Sequence, residues 1–107
     1  MPEMNTIYDS DSKIVGIFRF GVAWSRDPRV RLGEYDDTGP AGQVYDNNRN
    51  VVARFSDGLV SDLDGNQIGS FMDGQLQIGD SVVGRCIGND GAAAAALALI
   101  FGSNTLP

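Results

Sequence analysis

The chain contains no histidine, one cysteine, one lysine and only two glutamates, Glu3 and Glu34. Without histidine, the usual general base and metal ligand of near-neutral pH is missing. One cysteine, Cys86, excludes an internal disulfide, so nothing here demands an oxidising compartment. With no histidine to activate it, Cys86 reads as a buried, inert thiol rather than a nucleophile. Lys13 stands alone beside seven arginines, and the net charge is −6. Phosphate backbones are held by clustered cations, so a nucleic-acid partner is not expected. The opening stretch "MPEMNTIYDSDSK" lacks a basic segment followed by an apolar one, and no signal peptide is expected. The longest apolar run covers residues 92–101, about half of what a membrane-spanning helix needs. These absences lead to the expectation of a non-catalytic, cytoplasmic protein with no cofactor and no metal.

What the chain has in quantity is glycine, 14 of 107 residues, and aspartate. Asp favours turns because its short side chain bonds the backbone two residues on, whereas Glu favours helices. Many Gly and Asp between short apolar runs predict an all-β chain in one domain, residues 1–107.

A period of sixteen residues runs through it. "VYDNNRNVVARFSDGL" begins at Val44, "VSDLDGNQIGSFMDGQ" at Val60, and "LQIGDSVVGRCIGND" at Leu76. An earlier copy, "IYDSDSKIVGIFRFGV", begins at Ile7. Stacked, the copies share an apolar start (Ile7, Val44, Val60, Leu76) and, in three of them, an Asp two residues later. A small residue follows (Gly16, Ala53, Gly69, Gly84), then Phe18, Phe55 and Phe71, with Cys86 in the fourth copy's equivalent place. A closing Gly ends three copies, at Gly21, Gly58 and Gly74. Each copy is read as a β-hairpin, at about 7–21, 44–59, 60–75 and 76–89, with Asp64-Gly65 expected to form a primed two-residue turn. Residues 22–43 break the period and are read as a divergent hairpin, with a strand in "VRLGEY" and a loop at "DDTGPAG". One hairpin alone is marginal; stacking several around an axis buries their inner faces and closes the edges.

The segment "GAAAAALALIFG", residues 91–102, is apolar on every side. Asn89 or Asp90 can cap its start, alanine favours helix, and Gly102 suits its stop. Such a helix must be buried on every side, and a small barrel offers that place in its lumen. Five alanines are thin enough for a tight lumen; Leu97, Leu99, Ile100 and Phe101 would plug a wider end. A helix shared between subunits or inserted shallowly in a membrane is the competing reading.

The motifs "IYDSDSKIVG", "VYDNNRNVVA" and "SDLDGNQIG", with the trailing "DG" steps, resemble those of the β-flower families, small and mostly bacterial. The resemblance covers residues 7–21 and 44–89. It implies a shallow pseudosymmetric barrel of hairpin petals, similar to the Tubby C-terminal-like fold with its central apolar helix. Some members of that wider group bind phosphoinositides or act at membranes.

Two surface features are candidates for binding. "SDLDGNQIG" places Asp62, Asp64 and Asn66 as an EF-hand would, but Gln67 stands where that loop needs glycine, so a hairpin turn is the preferred reading. "WSRDPRVR" gathers Arg26, Arg29 and Arg31 near Trp24 and Tyr35, a composition suited to an anionic head group or a protein partner. The preferred reading is a solvated loop neutralised by Asp27, Glu34, Asp36 and Asp37, because local acids cancel the field, and the cluster stays a candidate for binding. The sequence therefore predicts a binding or assembly module, engaging a protein partner or self-associating. The alternative is a peripheral membrane domain that holds anionic lipid through the Arg/aromatic cluster and the apolar helix.

Overall fold

The computed structural model describes residues 5–26, 29–36, 39 and 41–101. Ten antiparallel strands close into a barrel. They are β1 (Asn5–Asp9), β2 (Ile14–Arg19), β3 (Val22–Ser25), β4 (Arg31–Tyr35), β5 (Ala41–Tyr45), β6 (Val51–Ser56), β7 (Leu59–Ser61), β8 (Gln67–Met72), β9 (Gln75–Ile78) and β10 (Ser81–Ile87). Each pairs with its neighbour in sequence, and β1 pairs with β10, so no strand edge is left open. The helix α1 (Asp90–Ala96) follows, continued by a π-helical segment, Leu97–Phe101.

The divergent sector proves to be a fifth hairpin, β3–β4, built like the others. In all five, the second strand carries a β-bulge at the same place. The bulged residues are Val15, Leu32, Val52, Ile68 and Val83, each directly before the small residue. A bulge sets two residues against one on the partner strand and adds twist, which helps a small barrel to close. Inside, the walls are layered. Ile7, Ala23, Val44, Val60 and Leu76 pair with Gly16, Gly33, Ala53, Gly69 and Gly84, and two residues further along lie Phe18, Tyr35, Phe55, Phe71 and Cys86.

The lumen is filled by the chain's own C-terminal rod. Asn89 caps α1, its Oδ1 accepting the Ala92 N–H at 2.9 Å. Ala92 through Leu97 are buried, and α1 touches strands on all sides of the barrel, among them β1, β4, β6, β8 and β10. The alanines are thin where Phe18, Tyr35 and Phe55 project inward. Where the rod becomes bulky, the wall becomes glycine: Leu97 lies over Gly69, Leu99 over Gly33, Ile100 over Gly16 and Phe101 over Gly84. Rod and wall thus alternate large against small, as close packing requires. Burying a side chain the size of Leu97 contributes about 1.5–3 kcal/mol. The rod starts one residue earlier than the sequence suggests, and its last turn is π rather than α, which directs four large side chains to four different strands. Gly102, the expected stop, lies outside the described residues.

The turns differ from expectation at Asp64-Gly65. Only Gly65 has positive φ there, so the link is not a primed two-residue turn. It is a longer loop closed by Asp62 N–H on the Asn66 carbonyl at 2.9 Å, with Gly65 N–H on the Asp62 carbonyl. The primed turns lie instead at the joins between hairpins: Phe20-Gly21, Asp57-Gly58 and Asp73-Gly74 have positive φ at both positions.

Candidate functional site

The barrel has two ends of different chemistry. The five hairpin loops gather at one, here the loop end; the inter-hairpin joins and the start of α1 gather at the other, the join end.

At the loop end, three loops share one internal plan. Asp9 Oδ1 accepts the N–H groups of Asp11 and Lys13, Asp46 Oδ1 those of Asn48 and Asn50, and Asp62 Oδ1 those of Asp64 and Asn66, all at 2.8–3.0 Å. The repeated Asp is therefore a loop-building residue that satisfies backbone donors. Those donors hold the Asp46 carboxyl below its ordinary value, the Asn50 N–H foremost. Among the described residues no group of three acidic or thiol ligands is assembled for a metal.

The β3–β4 loop is the irregular one, and it carries the arginines. Ser25 N–H donates to the Val30 carbonyl at 2.8 Å and Val30 N–H to Ser25 Oγ at 3.1 Å, which fixes the base of the loop. Arg26 N–H donates to the Val15 carbonyl at 3.1 Å, setting this loop beside β2. Arg26 and Arg29 are exposed and make no ion pair among the described residues, and Val30 between Arg29 and Arg31 is 48% exposed. Arg31 is engaged elsewhere. It donates to Asn47 Oδ1 and pairs with Glu34 at 2.9 Å, and Glu34 also meets Arg49 at 3.4 Å. The Arg31 hydrogen bond is the main cause of a lowered Glu34 carboxyl pKa. Trp24 lies half-buried on the outer wall, in register with Ile17 and Arg31.

Tyr35 corrects the sequence reading. Its side chain belongs to the core at the join end, 4% exposed, 5.7 Å from the Phe18 ring, with its hydroxyl accepting from Asn5 Nδ2 at 3.2 Å. Residues near one another in the chain need not share a face of a strand, and Tyr35 occupies in the β3–β4 hairpin the position that Phe18, Phe55 and Phe71 fill in three of the others. Asp36 likewise does not neutralise the arginines. Its carboxylate accepts the Gln43 N–H at 2.9 Å and the Tyr45 hydroxyl at 3.2 Å. Asp27 and Asp37 lie outside the described residues. The loop end thus brings together Arg26, Arg29, Val30 and Arg31, with Arg49 beside them; Arg49 was not singled out by sequence, because it lies eighteen residues beyond Arg31.

At the join end, Asn5 is buried and polar, 3% exposed. It donates to the Phe18 carbonyl and to Tyr35 Oη, and its Oδ1 accepts the Asn89 N–H at 3.0 Å. Beside this clasp a groove of about 470 Å³ opens, lined by Phe71, Asp73, Cys86, Ile87, Asp90 and Ala93 among others. Cys86 is buried, and burial foremost, with the charge of Asp90, pushes its thiol up to about 12. A thiol held protonated is a poor nucleophile.

No protein-family model matches the chain, and searches of curated proteins and of solved structures find no match either. Among the described residues no helix is long and apolar enough to cross a membrane.

Proposed function

We propose that this chain is a non-catalytic binding or assembly module of β-flower type, which engages a protein partner or a second copy through the loop end of its barrel. The observation that carries this reading is the filled lumen. With Ala92–Leu97 packed inside, the interior is core, and recognition falls to the ends and outer wall. Arg26, Arg29 and Val30 give the loop end two exposed cations and an apolar contact on an anchored loop. A photo-reactive residue placed at Val30 tests the reading in cells. A discrete adduct is expected there and not from the same residue placed at Gln77 on the outer wall; no adduct at Val30 overturns it.

A second reading places the same face on anionic lipid, at the membrane periphery. It is favoured by the exposure of Val30 between Arg29 and Arg31, an apolar side chain among cations. Phosphatidylserine vesicles should then sediment the protein at low salt, lose it at high salt, and lose it with Arg26→Ala and Arg29→Ala together. Absence of binding at low salt removes this reading.

A further inference from the structure

The fivefold aromatic layer at the join end has a gap. Phe18, Tyr35 and Phe55 are buried at their positions, while Phe71 is only half-buried. The fifth position, next around the ring from Phe71, is Cys86, a residue with no ring to close the layer. The groove of about 470 Å³ lies at that gap, with Phe71, Cys86 and Ala93 within it and Ile87, 58% exposed, at its edge. Its polar rim is Asp73 and Asp90, both exposed and neither in an ion pair among the described residues. The groove therefore suits an apolar side chain carried on a cationic segment. The same molecule displays such a segment at its opposite end: Val30, exposed and flanked by Arg29 and Arg31, with Arg26 nearby, on a loop fixed through Ser25.

We propose that the groove at the Cys86 gap receives the Arg29–Val30 loop of a second copy of this chain. The inference rests on the binding-module reading above and names its partner. Val30 enters against Phe71 and Ile87, removing apolar surface from water on both copies. Arg26 and Arg29 come to Asp73 and Asp90, opposite charges that fix the orientation of the contact. Because loop and groove lie at opposite ends of the barrel, the contact is head-to-tail. Each pair leaves one loop and one groove free, so the assembly grows until it closes into a ring or continues as a filament.

Sedimentation velocity on the full chain tests this at concentrations up to about 1 mM, the weak limit of a specific contact. The mass should rise with concentration at about 20 mM salt and fall back at about 500 mM, where screening is short-ranged. Val30→Ser should weaken association about tenfold. Charge reversal gives the decisive arm, with surface changes that spare the core. Arg26→Asp with Arg29→Asp, and separately Asp73→Arg with Asp90→Arg, should each give a monomer, and mixing the two should restore association. A wild-type chain that stays monomeric throughout overturns the contact, as do reversals that fail to complement. If that failure comes with a Val30 adduct to a different protein, the binding-module reading stands without the self-contact. If no adduct forms, that reading falls as well.

Discussion

Ile100 rests on Gly16: a β-carbon at residue 16 would stand 2.9 Å from the Ile100 δ1 methyl and 3.1 Å from the Phe18 ring. The rod and the wall of the barrel were therefore shaped against each other, and the glycine of the repeat is there to admit a large side chain of the helix.

Gly16→Ala should destabilise the fold by about 1–3 kcal/mol, the usual cost of overpacking a filled core. Urea denaturation measures it. In an Ile100→Ala background the same change should cost less, since the shortened side chain gives way. Equal costs in both backgrounds would place the rod elsewhere.

Leu97 is fully buried over Gly69. Leu97→Ala should cost about 2–5 kcal/mol, because the rigid wall cannot collapse onto the space left. A cost below 1 kcal/mol would mean that the residue is solvated.

Asn5 ties β1 to the start of the helix, accepting the Asn89 N–H while donating to Phe18 and Tyr35. Asn5→Ala strands buried groups and should cost about 1–3 kcal/mol. Asn89→Ala removes the cap and should cost about 1 kcal/mol. Thermal unfolding of the two variants, with Asn5→Ala the weaker, checks the ranking.

Asp46 gives a pH dependence. Its folded-state pKa lies below the unfolded value because the ionised carboxylate accepts backbone N–H groups. Its stabilisation is thus complete above the unfolded value of about 3.9 and is lost as pH falls through the folded one. The urea midpoint should drop as the solution is acidified below about pH 4, and Asp46→Asn should flatten that drop. A variant with the same acid profile as the wild type would show that the loop bond contributes nothing.

Much of this was legible in sequence, and the rest was hidden for definite reasons. The repeat was readable where Asp9, Asp46 and Asp62 build alike loops, because a side chain that caps its own turn imposes a residue type at a fixed spacing. The β3–β4 hairpin escaped the period because its loop carries arginines instead of that Asp, and because Ala23 and Tyr35 stand in for the larger aliphatic and the phenylalanine. The bulges were invisible as such, since Val15 or Val52 before a small residue reads as ordinary strand. Tyr35 lies near the arginines along the chain yet faces the core, because alternate residues of a strand point to opposite faces. Asn5 gave no signal at all; a polar residue at a strand start reads as solvated until the Asn89 N–H is brought to it from 84 residues away.

The measurement closest to the central claim is native-state amide hydrogen exchange of Ala93–Leu97. A rod enclosed by ten strands can exchange only when the barrel opens, so these amides should be as protected as those of β2 and β6, and should lose protection together with them in urea. Exchange of the alanine amides at rates far above those of the strands, and unaffected by urea, would show a helix lying outside the barrel and would contradict the account.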